Sequence, residues 1–363
     1  MAITVVGQPR LGSRVRGGIV RALGAMTTPL VPADYLDVID PLRSGASLRG
    51  RIVAITPETP DAATVLIRPG RGWAGHIPGQ YVRVGIDVEG VRLWRAYSLT
   101  SGPRRDGLIA ITVKAIPDGV VSNHIVRRAE PGTVIQLDQA TGDFHFPDPL
   151  PQRVLFVTAG SGITPVMGML RHHLSSLSDV VVVHSAPTSR DVIFGAGLRD
   201  MAAAGRIRLH EQLTDSAGML DPRALDDLVP DWPARQTWAC GPTGLLDALE
   251  DQWESGDVAH RLHTERFRAS VITTGEGGAV FFTRAGMTIE ADGATPLLDA
   301  GEAGGVLMPS GCRMGICMGC VVPLESGAVR DLRSGTLTTA APGDGVKIQT
   351  CVSAAAGPCE IDL

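Results

Sequence analysis

At 363 residues the chain has room for two or three domains, and charged residues at 20%, hydrophobic residues at 44% and a formal net charge of -5 describe an ordinary globular protein. With no basic run and an acidic balance, it offers no electrostatic footprint for nucleic acid. Six cysteines, four of them in one spaced motif, are not a disulfide framework, which predicts a reducing compartment and a cytoplasmic protein.

Residues 1–47 read as an N-terminal extension of mixed character. Val15, Ile19, Leu23 and Met26 recur at helical spacing, which predicts one short amphipathic helix, packed on the body of the protein or serving as a docking surface. Arg21 interrupts the only apolar run, so neither a cleaved signal nor a transmembrane helix is expected.

Residues 48–150 change to short alternating runs at 51–56, 63–68, 80–86, 95–99, 109–116 and 133–137, broken by Pro and Gly, which predict a small antiparallel β-barrel. A helix is expected between Asp118 and Arg128, opened by Asp118-Gly119. Arg95-Ala96-Tyr97-Ser98 groups a cation, an aromatic ring and a hydroxyl on one strand, suited to clamping a phosphate, stacking on a planar ring and bonding its edge. Alone, the motif reads equally well as a half-buried strand. Gly119 and Ser122 at a helix start add a ready pyrophosphate site.

Residues 151–262 alternate strands (154–158, 180–184, 207–213, 237–240) with helices (165–174, near 198–203, near 222–227, 244–254), the pattern of an α/β doubly wound parallel sheet. Thr158-Ala159-Gly160-Ser161-Gly162-Ile163-Thr164-Pro165 follows a strand, with Pro165 expected at the first helical residue. It is a variant of G-x-G-x-x-G, a weak signal alone. Cys240-Gly241-Pro242-Thr243 repeats the design, and both turns fall at strand carboxyl ends, where such sheets bind ligands. Taken singly, Cys240 is a buried strand cysteine. After the second strand, Ser185 and Arg190 suit a 2′-phosphate and favour NADPH, while Asp191 keeps NADH open. No G-x-S-x-G elbow or H-E-x-x-H pair supports hydrolytic chemistry.

Residues 263–278 read as a linker, polar and rich in Gly and Thr after Phe267. In 279–363, strands at 279–284 and 287–291 and a helix at 297–303 precede the loop Cys312-Arg313-Met314-Gly315-Ile316-Cys317-Met318-Gly319-Cys320, with Cys351 far downstream. C-x4-C-x2-C with a distant fourth cysteine is the ligand spacing of a plant-type [2Fe–2S] cluster. Gly311, Gly315 and Gly319 free backbone N–H groups to turn toward the sulfides. The rival is structural zinc in a non-catalytic binding module, but all-cysteine zinc sites come as paired knuckles, and here the fourth cysteine stands alone.

Together the motifs resemble the ferredoxin–NADP reductase superfamily, in the domain order of its phthalate dioxygenase reductase-like members: flavin barrel, nucleotide domain, C-terminal plant-type ferredoxin. The resemblance covers about 48–363 and implies an antiparallel β-barrel, an α/β doubly wound domain and an α+β β-grasp domain. It implies that Arg95 holds the flavin phosphates, Tyr97 stacks on the isoalloxazine and Ser98 bonds its N5 edge. Val113 and Lys114 would line the flavin, and Gly119, Val121 and Ser122 would bind the pyrophosphate. Gly160, Gly162 and Thr164, with Gly241 and Pro242, would meet the nicotinamide dinucleotide, and Cys240 would sit by its ring. Glu265 and Phe267 would close the other flavin face; Cys312, Cys317, Cys320 and Cys351 would hold the cluster.

The implied flavin is FAD, although FMN also serves in the family. Residues 27–36 are similar to a stretch of actinobacterial reductases that serve membrane acyl-CoA desaturases. A desaturase is therefore the expected partner, with a Rieske dioxygenase, another monooxygenase or a cytochrome P450 as alternatives. The chain is expected to be monomeric and to meet a membrane only through that partner. NADPH would deliver a hydride to the flavin, which would pass single electrons to the cluster.

Overall fold

The computed structural model describes residues 32–43, 45–88, 90–117, 119–267, 274–311, 313, 315 and 318–363. The helix expected within 15–26, the turn residue Asp118, most of the polar stretch after Phe267, and Cys312 and Cys317 lie outside the described residues. Helix α1 (Pro32–Ile39) is tied to the body through Asp37, which accepts from Arg43 Nε at 2.8 Å and lies 3.5 Å from Arg49.

Six antiparallel strands follow: β1 (Arg49–Thr59), β2 (Ala62–Pro69), β3 (Tyr81–Val88), β4 (Val91–Ser98), β5 (Ile109–Lys114) and, after helix α2 (Val120–Arg127), β6 (Val134–Leu137). Their spatial order is β4-β3-β6-β1-β2-β5, and a bridge between Leu99 and Ile111 joins the two ends into a barrel. Alternation explains the interior: Val65 and Ile67, Val82, Val84 and Ile86, Ile109, Ile111 and Val113 all point inward and are buried. Helix α2 contributes Val121 and Ile125 to the same core.

The second sheet is wholly parallel. It comprises β7 (Arg153–Ala159), β8 (Asp179–Ala186), β9 (Arg208–Leu213), β10 (Gln236–Cys240) and β11 (Leu262–Glu265), in the order β11-β10-β7-β8-β9. Helices α3 (Ile163–His173), α4 (Gly195–Ala203) and α5 (Thr243–Ser255) connect them. The chain runs outward from β7 to β9, then returns to β10 beside β7, so the switch point lies between β7 and β10. Both faces are covered: Phe156, Val182 and Trp238 pack with Met167 and Leu170 of α3, while Leu155, Val157 and Val183 pack with Leu246, Leu249 and Trp253 of α5.

Three local expectations change. Residues 263–265 fall at the start of the expected linker, yet together with Leu262 they pair in parallel with β10 from Thr237 to Cys240 as an edge strand. Helix α3 begins at Ile163 after a 3-10 turn over Gly160–Gly162, so Pro165 is its third residue, where a missing N–H is still harmless. The helix near 222–227 is a 3-10 turn, Pro222–Ala224, running into one turn of helix, Leu225–Leu228.

The C-terminal sheet is mixed: β12 (Gly278–Phe282), β13 (Met287–Ala291), β14 (Val321–Asp331), β15 (Leu337–Ala340) and β17 (Ser353–Ile361) lie in the order β13-β12-β17-β14-β15, with β16 (Lys347–Gln349) beside β14. Only the β12–β17 pair is parallel. Helix α6 (Leu297–Ala303) buries Leu297 and Leu298 against Val280, Phe282 and Val322. The barrel and the parallel sheet are in direct contact, because a Cβ on Gly168 of α3 would fall 2.3 Å from the Leu99 carbonyl oxygen. Arg171 Nη1 donates to the Thr100 carbonyl at 2.8 Å beside it.

Candidate active site

One cavity of about 1320 Å³ reaches all three sheets. The barrel contributes Arg95, Tyr97, Ser98, Lys114, Gly119, Val121 and Ser122; the parallel-sheet side contributes Ser161, Thr164 and residues 263–267. The C-terminal sheet adds Asp299, Glu302, Arg313, Arg333 and Cys351. The volume and mixed lining suit a large cofactor.

On β4, Arg95 and Tyr97 point to one face, as strand alternation requires. Arg95 Nη1 donates to the Trp94 carbonyl at 2.8 Å, and burial together with the nearby Arg313 guanidinium lowers its pKa from the ordinary value. Arg313 is itself paired with Asp299, at 2.9 Å, and with Glu302, so Arg95 is the cation better placed to receive a phosphate. Tyr97 is half-buried, and burial pushes its hydroxyl pKa up, so it stays a neutral ring. Lys114 pairs with Asp61 at 3.0 Å. The Val113 side chain lies in the barrel core, and its neighbours Thr112 and Lys114 face the cavity.

Helix α2 starts at Val120 with Gly119 as its unoccupied cap, since no side chain bonds there. A Cβ on Gly119 would strike Ser122 Oγ at 2.4 Å, so glycine is what keeps this helix start open. Ser122 Oγ donates to the Gly119 carbonyl at 3.1 Å.

At the switch point the two glycine turns abut. A Cβ on Gly162 would lie 1.9 Å from the Cys240 carbonyl oxygen, and one on Gly241 would lie 3.3 Å from Ala159 Cβ. Gly160 has φ +54 and open space around its missing Cβ. Thr164 Oγ1 donates to the Ser161 carbonyl at 2.8 Å, and both residues line the cavity. Pro242 caps α5 without a side-chain bond. Cys240 is fully buried, packed in the core on the same side of the sheet as α3, and it is not among the residues that line the cavity. Burial, then the Glu265 carboxylate in register beside it, raises its thiol pKa well above normal.

Ser185 is buried at the end of β8, and Arg190 is exposed in the loop beyond it. Asp191 is engaged locally, accepting from Thr188 N at 3.1 Å and Thr188 Oγ1 at 2.5 Å. Sequence reasoning left β11 unread, and this strand delivers Glu265 to the cavity, with Phe267 just beyond at 37% exposure. Ser98 Oγ donates to Glu265 Oε2 at 3.5 Å, and burial pushes the Glu265 carboxyl up to about 8.

Of the four predicted cluster ligands, Cys320 and Cys351 are described, buried at 1% and 4% exposure with Sγ atoms 3.1 Å apart. Their mutual hydrogen bond lowers the Cys320 thiol from its ordinary value. Two buried thiol groups brought this close from separate parts of the motif fit a thiolate-ligated centre.

Comparison with known proteins matches two family descriptions: an oxidoreductase FAD-binding domain over residues 71–146 and a 2Fe-2S iron-sulfur cluster binding domain over residues 280–356. The chain is 49% identical over 346 residues to an NADPH oxidoreductase of Mycobacterium tuberculosis, covering 93% of this chain and 90% of that protein. The chain belongs to the ferredoxin–NADP reductase superfamily. It is also similar to the glycine betaine monooxygenase reductase subunit of Chromohalobacter salexigens, 29% identical over 309 residues, 76% of this chain and 84% of that one. The solved structure of phthalate dioxygenase reductase shares the fold, with TM-score 0.58 and 22% identity over 87% of this chain and 97% of that one. This reductase is an NAD(P)H-dependent oxidoreductase with FAD and [2Fe–2S] domains, which sets aside the zinc-binding alternative.

Proposed function

We propose that this reductase carries electrons from NADPH to an oxygen-activating iron enzyme. The observation that supports the reading is the single cavity extending from Tyr97 and Ser98 to Cys351. FAD held there would supply the exchange between hydride and single electrons, and a [2Fe–2S] cluster would supply one-electron transfer to the partner. Residues 48–150 would hold the flavin: Arg95, Gly119 and Ser122 at its phosphates, Tyr97 at its ring, Ser98 at its edge. Residues 151–265 would hold the dinucleotide through Gly160, Gly162, Thr164, Gly241 and Pro242, with Cys240 buried in the adjoining core. Cys312, Cys317, Cys320 and Cys351 would hold the cluster.

The preference for NADPH rests on the loop after β8. Asp191, the acid that would bond a ribose diol, is already engaged by Thr188, while Arg190 is exposed to receive a phosphate. The name of the 49% identical relative, NADPH oxidoreductase, agrees. For the partner, the resemblance through residues 27–36 favours a membrane acyl-CoA desaturase; among the described residues no helix is long and apolar enough to cross a membrane, so this chain would act at its surface. A soluble oxygenase is the second reading, favoured by the likeness to a monooxygenase reductase subunit.

Reconstitution tests both. With NADPH, turnover of a membrane-embedded acyl-CoA desaturase but not of a Rieske oxygenase supports the first reading, and the reverse supports the second. A purified chain lacking flavin and iron–sulfur absorption bands would reject both.

A further inference from the structure

Arg333 follows β14 and turns back onto the cluster loop. Its Nη1 donates to the Gly315 carbonyl at 3.1 Å, and Gln349 Nε2 donates to the same oxygen at 3.1 Å. Arg333 Nη2 also donates to Gln349 Oε1 at 3.3 Å. Gly315 has φ +76, and a Cβ there would fall 2.3 Å from Arg333 Nη1. Glycine is therefore required both for the left-handed backbone and for the guanidinium to lie against the loop.

Asp331 fixes the other side of the guanidinium, accepting from Nη2 at 2.7 Å and from Nε at 3.2 Å. Through Nη1 the guanidinium reaches the loop that carries Cys320, and through Nη2 it reaches Gln349, two residues before Cys351. Arg333 and Cys351 line the same cavity as Tyr97 and Ser98. Hydrogen bonding and local charge around the ligands are what set an iron–sulfur potential.

We propose that Arg333 is a positioning residue for the iron–sulfur centre: it ties Gly315 of the cluster loop to β14 and β16 and keeps a positive charge against that loop, raising the cluster's reduction potential. The proposal rests on the reading of the cysteines as cluster ligands.

The test is an EPR-monitored redox titration of the holoenzyme and three variants. Arg333→Gln keeps an amide donor for the Gly315 carbonyl but loses the charge; its cluster should become harder to reduce, the flavin-to-cluster electron equilibrium falling about tenfold, or 59 mV for one electron. Arg333→Lys keeps the charge and should stay near wild type. Asp331→Asn removes the opposing charge and should shift the potential upward. An unmoved potential in Arg333→Gln, or an equal fall in Arg333→Lys, overturns the proposal. If Arg333→Gln fails to retain a cluster, Asp331→Asn decides: an upward shift supports the proposal and an unmoved potential overturns it. A wild-type holoenzyme without a reduced-cluster EPR signal overturns the cluster reading and this proposal with it, whereas a normal signal with unmoved potentials overturns this proposal alone.

Discussion

Ser98 Oγ donates to Glu265 Oε2 at 3.5 Å, joining the last residue of β4 to the last residue of β11 across 167 positions of the chain. The contact places a hydroxyl and a carboxyl, from separate sheets, on the wall of one cavity. Burial shapes the carboxyl more than the hydrogen bond does, since its pKa stands at about 8 despite the bond's opposing pull.

That raised value predicts a pH dependence. The folded state keeps Glu265 neutral up to about 8, while the unfolded chain ionises it near 4.5. The stability contributed by the neutral form is full below 4.5, declines as pH rises and is gone above about 8. Glu265→Gln stays neutral throughout, so its melting temperature should vary less than wild type between those limits. A melting curve series with an unchanged slope would count against the assignment.

Gly162 and Gly160 should respond differently to alanine. At Gly162 the new methyl meets the Cys240 carbonyl at 1.9 Å, which forces the two turns apart and should cost about 1–3 kcal/mol in denaturant unfolding. Gly160 has room, and its φ of +54 should cost roughly 1–2 kcal/mol. If the dinucleotide binds at this turn as proposed, its KM should rise in Gly160→Ala. An unaltered KM would contradict that.

Removing a cluster ligand should split the two reductase activities. In Cys351→Ser, NADPH-driven reduction of cytochrome c should fall to background, whereas reduction of ferricyanide, which draws on the flavin directly, should largely persist. Equal loss of both, with flavin still bound, would refute sequential transfer.

Arg190→Ala should raise the KM for NADPH about tenfold or more, the worth of one charge-assisted hydrogen bond, and leave the KM for NADH unchanged. Parallel changes for both dinucleotides would place the 2′-phosphate elsewhere.

Much of this protein was legible in its residue order. The barrel strands showed through period-two alternation, the parallel strands through apolar runs buried on both faces, and the iron–sulfur domain through C-x4-C-x2-C and Cys351. Those signals are local, because a strand's period and a ligand loop's spacing are fixed by the backbone nearby. Leu262–Glu265 stayed hidden because an edge strand of one leucine and three polar residues carries no apolar pattern; it exists by pairing with β10.

Tertiary packing alone decided which neighbours face the cavity. It turned Val113 into the barrel core and Thr112 outward, sank Cys240 into the core, and brought Arg333 to Gly315. Each depends on contact between segments far apart in the chain. Burial and charge are properties of that assembled surrounding, and no window of sequence contains them.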